Sequence, residues 1–103
     1  MAIALYMEFP GFTEQQYEAV LRELNLGGHL APGGVLHCAG PMEGGAGWRV
    51  VDVWESQADF DRFRREKLDA AMRKIGAEMA PRVITWPVHN VILSERAPAW
   101  SHS

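Results

Sequence analysis

The segment 48–55, with the sequence WRVVDVWE, constrains the fold most, because it predicts a strand with large apolar side chains on both faces. Trp48 and Trp54 alternate with Val51 and Val53, and successive side chains of an extended chain point to opposite faces. An antiparallel sheet with one face in water needs apolar side chains on the other face only. We therefore expect both faces of the sheet that contains this strand to be covered.

The other patterns complete the element order β-α-β-β-α-β. Strands are predicted at residues 2–9, 35–41, 48–55 and 82–93, and helices begin after Thr13 and Ser56 and end at the glycines 27–28 and 76. Pro87 places the last strand at an edge or a bulge, because proline cannot donate to a strand ladder. This order is the split unit of a ferredoxin-like α+β domain, a four-stranded antiparallel sheet with two helices on one face.

The chain length of 103 residues indicates one domain. We assign it to residues 1–93 and expect a mobile C-terminal tail at 94–103, which is rich in polar residues, alanine and proline. Two helices can cover only one face of a four-stranded sheet, so the second apolar face is expected to meet a second copy of the chain. The sequence therefore predicts a homodimer of the dimeric α+β barrel type.

Charge and hydropathy exclude several classes of partner. The net charge is −3 and the basic residues are scattered or lie on one predicted helix, which argues against nucleic-acid binding. The apolar runs are far shorter than the roughly 20 residues of a membrane span, and the N-terminus lacks a leader pattern, so we expect a cytoplasmic protein. The four histidines and the single Cys38 do not have metal-ligand spacing.

The predicted pairing register of one hairpin gives the strongest candidate for a catalytic pair. A four-residue turn at 43–46 pairs His37 directly with Asp52, and directly opposed residues share a face. A carboxylate beside an imidazole orients it and raises its basicity, which makes His37 a candidate general base assisted by Asp52. The alternative is a polar pair that satisfies itself within the sheet. A register slip of one residue would separate the two side chains.

Other candidates would bind a ligand. A pocket for a flat aromatic or polyketide-like molecule can be formed by aromatic side chains, here Tyr6, Trp48, Trp54, Phe60, Phe63 and Trp86. The alternative is that these side chains fill the core and the dimer contact. His89 and Asn90 fall on the predicted last strand and point to opposite faces, so one of them would face the pocket.

The stretch Val53-Trp54-Glu55-Ser56, followed by Phe60 and Phe63, resembles the antibiotic-biosynthesis-monooxygenase-like branch of the dimeric α+β barrel superfamily. This resemblance implies the fold predicted above. It also implies a range of functions, from cofactor-free oxygenases and haem-degrading enzymes to isomerases, cyclases and proteins without a known reaction. In the haem-degrading members a histidine ligates the iron at the position that Arg73 occupies here, and arginine cannot ligate iron.

Two functions remain open from the sequence. The first is a cofactor-independent enzyme, of the monooxygenase, isomerase or cyclase type, in which His37 and Asp52 remove a proton from an aromatic or polyketide-like metabolite. The second is a non-catalytic dimeric protein that binds a small molecule. An enzyme should have an open cavity lined by the titratable pair, whereas a binding protein needs only the cavity.

Overall fold

The computed structural model describes residues 1–77 and 80–95. The strands are β1 (Ile3–Pro10), β2 (Gly34–Pro41), β3 (Gly47–Trp54) and β4 (Arg82–Pro87). The helices are α1 (Glu14–Leu24), α2 (Gln57–Phe63) and α3 (Asp69–Lys74), and a π-helical segment (Arg64–Leu68) joins α2 to α3. The strands form one antiparallel sheet in the order β2-β3-β1-β4, which confirms the ferredoxin-like fold predicted from the sequence.

Two hydroxyl side chains begin the helices. Thr13 accepts from the Gln16 amide, and the Gln16 side chain accepts from the Thr13 amide, so the predicted capping box of α1 is present. Ser56 Oγ accepts from the Asp59 amide at the start of α2. The helix α1 ends earlier than predicted, because Asn25 takes the left-handed conformation, with φ of 51°, before the two glycines are reached.

The core lies between the sheet and the helices. Leu5 and Met7 of β1 are buried against Trp48, Val50 and Trp54 of β3, and the side chain of Phe60 from α2 packs into the same cluster. A second cluster joins Val20 of α1 to Ala71 and Met72 of α3. The alternate residues of each strand therefore point away from the helices, to the other face of the sheet.

The last strand is shorter than predicted. It ends at Pro87, which pairs with Ile3, and the Val88 amide still donates to the Ala2 carbonyl. The prediction of a strand to residue 93 is wrong because β1 begins at Ile3 and offers no further partners. His89 and Asn90 consequently lie beyond β4 and are exposed.

Two further sequence expectations concern the C-terminal tail and membrane spans. The predicted tail, apart from residues 94 and 95, lies outside the described residues. Within the described ranges, no helix has the length and apolar character needed to cross a bilayer.

Candidate active site

A largely apolar cavity of about 150 Å³ lies between the sheet and the helices. Its wall includes aromatic and aliphatic side chains from α1, α2 and the helix-facing side of β3. The only polar or charged side chains in this wall, apart from two indole rings, belong to Tyr17, His29, His37 and Asp52 among the described residues. Chemistry in this cavity therefore depends on these four side chains.

His37 and Asp52 form the predicted cross-strand pair. The register of β2 and β3 places them opposite each other, and His37 Nδ1 lies 2.6 Å from Asp52 Oδ1. Asp52 is the only buried charged residue in the described part of the chain, with 6% of its surface exposed. Trp54, two residues along β3, donates its indole N–H to Asp52 Oδ2 at 3.1 Å. Both carboxylate oxygens are therefore held by N–H groups, as a buried ionised carboxylate requires.

Tyr17 extends this pair to a chain of three groups. Its hydroxyl oxygen lies 2.5 Å from His37 Nε2, and the two rings are nearly parallel, with an interplanar angle of 5° and centroids 5.9 Å apart. The Tyr17 ring also contacts Trp48, with ring centroids 5.3 Å apart. Tyr17 is the fourth residue of α1, close to the capping box that fixes the start of this helix.

The chemistry of Asp52 fixes which group donates and which accepts in the hydrogen bonds that join Tyr17, His37 and Asp52. An ionised carboxylate can only accept, so Asp52 assigns the ring proton of neutral His37 to Nδ1. His37 Nε2 is then an acceptor, and the Tyr17 hydroxyl donates to it. Burial, followed by the negative charge of Asp52, raises the pKa of Tyr17 from 10.0 to about 12, so this hydroxyl keeps its proton at neutral pH.

The turn between β2 and β3 determines whether this geometry exists. The tight turn Glu43–Gly45 contains Gly44 and Gly45 at φ of 67° and 72°, a region that glycine enters without steric cost. The Met42 amide donates to the Gly47 carbonyl and closes the turn. A bulge between Gly34 and Leu36 lies before His37, so the pairing from Leu36 to Pro41 is regular.

The structure divides the predicted ligand-binding residues into two groups. Trp48, Trp54, Phe60 and Phe63 line the cavity beside His37 and Asp52. The other four are not among the residues that line it: Tyr6 and Trp86 lie on the opposite face of the sheet, and His89 and Asn90 lie beyond β4.

Among the polar residues of the cavity wall, sequence reasoning missed two. Tyr17 belongs to the apolar stripe of α1, and the signal that could have found it is its polar tip, which needs a partner when the stripe is buried. His29 reaches the cavity from the glycine-rich loop between α1 and β2, and no pattern in the sequence indicates this position.

The described residues offer little to a metal ion or haem. No three His, Cys, Asp or Glu side chains converge as a metal site in residues 1–77 and 80–95. Both ring nitrogens of His37 are engaged, by Asp52 and by Tyr17. Arg73, at the position of the haem ligand in the resembling enzymes, is exposed on α3.

Comparison with solved structures confirms the fold and the resemblance. The chain is similar to SnoaB, a cofactor-independent oxygenase from Streptomyces nogalater, with 12% identity and a TM-score of 0.60 over 90% of this chain and 97% of that one. It is also similar to a candidate antibiotic biosynthesis monooxygenase from Chloroflexus aurantiacus J-10-fl, with 15% identity and a TM-score of 0.64 over 91% of this chain and 100% of that one.

A third similar structure is a dimeric ferredoxin-like protein of unknown function from Thermobifida fusca YX, with 18% identity and a TM-score of 0.60 over 85% and 92% of the two chains. No protein-family profile matches this chain, and no curated protein matches its sequence. At these identities the likeness establishes the ferredoxin-like fold alone.

Proposed function

We propose that this protein is a cofactor-independent enzyme that removes a proton from a small aromatic molecule, with His37 and Asp52 as the general base. The observation that carries the proposal is the 2.6 Å contact between these residues in the wall of a largely apolar cavity. A buried carboxylate beside an imidazole stabilises the imidazolium that forms when the base takes a proton. The oxygenase activity described for SnoaB, which has the same fold, supports this class of reaction.

The deprotonated molecule could react with oxygen, rearrange or cyclise, and these outcomes share one first step. Orcinol, a methylated dihydroxybenzene, tests that step, because its phenolate exchanges ring hydrogens for deuterium in deuterium oxide. We expect the protein to accelerate this exchange, measured as the loss of ring proton signals in NMR spectra. His37→Gln should reduce the protein-dependent rate by about 10²- to 10⁴-fold, the usual contribution of a general base.

A second candidate function is small-molecule binding without catalysis. It is favoured by the fact that the described contacts already occupy both nitrogens of His37. A binding protein would perturb the NMR signals of orcinol, while exchange stayed at the rate of buffer alone. Exchange that is accelerated equally by the wild type and by His37→Gln would also exclude the enzyme proposed here.

We also propose that two copies pair through the sheet face opposite the helices. Ile84 and Trp86 on this face are 52% and 45% exposed, so a monomer would leave two large apolar side chains in water. The similar protein from Thermobifida fusca is described as dimeric. Light scattering during size exclusion at micromolar concentration should give twice the chain mass of 11.5 kDa.

The substitution Ile84→Glu should shift this equilibrium toward the monomer. Val83→Glu is the matched control, because Val83 lies on the same strand with 46% exposure but points to the helix side. A wild-type monomer, or an equal effect of both substitutions, would exclude this interface.

A further inference from the structure

A ligand in the cavity would find no free nitrogen on His37, although the imidazole ring lines the wall. Asp52 accepts from Trp54 at one oxygen and lies against His37 Nδ1 at the other, and a carboxylate in this position can only accept, which places the proton of a neutral His37 on Nδ1. The lone pair on Nε2 then accepts a hydrogen bond from the Tyr17 hydroxyl. A ligand would have to break this contact to reach the imidazole directly.

The Tyr17 oxygen, in contrast, can still accept. A hydroxyl has one proton and two acceptor lone pairs, and only the proton of Tyr17 is used by His37. Tyr17 also lines the cavity, together with the Trp48 ring against which it packs. The polar end of the cavity therefore presents an acceptor, and an acceptor selects ligands that carry an acidic O–H or N–H group.

The size and charge of the cavity limit the ligand further. A volume of about 150 Å³ is comparable to that of engineered apolar cavities that bind one benzene ring. No lysine or arginine stands among the described residues of its wall, so an anion would enter without a counter-charge. The cavity is suited to a neutral single ring rather than to a fused polycyclic molecule.

From this geometry we propose that Tyr17 is the catalytic residue that contacts the substrate, and that the substrate is a neutral single-ring phenol whose hydroxyl donates to Tyr17 Oη. In the reaction the phenol O–H bond breaks and its proton joins Tyr17 Oη, while the Tyr17 proton moves to His37 Nε2. The products of this step are a bound phenolate and an imidazolium paired with Asp52. This proposal rests on the proposed function and names its substrate class.

Tyr17→Phe tests the proposed hydrogen bond between the phenol and Tyr17 Oη, because it removes this oxygen and keeps the ring that packs on Trp48. The probes are meta-cresol and meta-xylene, which differ by a hydroxyl in place of a methyl group. We expect the preference of the protein for meta-cresol over meta-xylene to fall by about three- to tenfold in Tyr17→Phe, the effect of one net hydrogen bond. Tyr6→Phe, which removes a hydroxyl bound to Glu8 on the other face, is the control and should keep the preference.

The orcinol exchange rate tests the proton path separately. A relay through Tyr17 requires Tyr17→Phe to slow the protein-dependent exchange by at least about tenfold. If Tyr17 merely covers His37, its removal exposes Nε2 and the exchange is unchanged or faster, which overturns the relay. An unchanged preference for meta-cresol overturns the contact.

These outcomes can be distinguished from a failure of the proposed function. Exchange that depends on His37 but not on Tyr17 leaves the general base in place and removes only the relay. Absence of exchange in the wild-type protein removes the enzyme, and the binding preference of Tyr17→Phe then decides whether this hydroxyl recognises phenols at all.

Discussion

Replacing Asp52 with asparagine should reverse the direction of the hydrogen-bond chain while leaving its shape nearly unchanged. The carboxylate now accepts at both oxygens, from the Trp54 indole and from His37 Nδ1. The Asp52→Asn amide has one acceptor and one donor group. Because the indole can only donate, the amide oxygen turns to Trp54 and the amide NH₂ faces His37.

The size of the effect follows from what this NH₂ group meets. If the proton stayed on His37 Nδ1, this N–H would point at the new amide NH₂ group, in place of the 2.6 Å hydrogen bond that His37 now makes with Asp52. A buried donor left without an acceptor costs about 1–3 kcal/mol, so the tautomer with the proton on Nε2 should predominate by roughly tenfold or more. That tautomer points a donor at Tyr17 and leaves no base. We expect orcinol exchange to fall by about 10²- to 10⁴-fold, with a stability loss of only about 2 kcal/mol, because neutral bonds replace two charge-assisted ones.

Nitrogen-15 NMR of histidine-labelled protein measures this directly, because protonated and unprotonated ring nitrogens have separate chemical shifts. The wild type should show the proton of neutral His37 on Nδ1, and Asp52→Asn should show it on Nε2. Asp61→Asn, a change of a partly buried carboxylate that accepts from Gln57, is the control and should leave His37 unchanged. A proton that stays on Nδ1 in Asp52→Asn would refute the assigned direction of the chain.

Two further predictions concern stability. Because the pKa of Tyr17 is raised, the folded state keeps a proton that the unfolded chain loses between pH 10 and about 12, so the free energy of unfolding should fall as the pH rises across this window. Chemical denaturation at stepped pH should show this fall in the wild type and in Tyr6→Phe. A fall of the same size in Tyr17→Phe would show that Tyr17 is not its cause. Gly47→Ala should lower the free energy of unfolding by about 3 kcal/mol, because a Cβ there would lie 2.3 Å from the Phe9 carbonyl oxygen, whereas Gly40→Ala meets nothing within 4 Å and should be neutral in the same denaturation assay.

Local patterns were sufficient to predict half of the candidate site. The pairing of His37 with Asp52 depends on the length of one turn, and the placement of Trp48 and Trp54 on the same face as Asp52 depends on the two-residue period of one strand. The contact between Tyr17 and His37 has no such local origin. It joins α1 to β2 across the glycine-rich loop, so it depends on how the helix packs on the sheet.

The polar residue in β3 illustrates why the faces of the sheet were harder to assign than its strands. A single aspartate among tryptophans and valines suggests the wetter face, yet Asp52 lies on the helix side and is 6% exposed, while Val51 on the other face is only partly buried. Asp52 can be buried there because the Trp54 and His37 N–H groups hold both of its oxygens. Tyr6 and Trp86 share the aromatic character of the cavity residues, but they lie on the face that we propose for the partner. In a strand that is apolar on both faces, an isolated carboxylate therefore indicates a hydrogen-bonded site more reliably than it indicates contact with water.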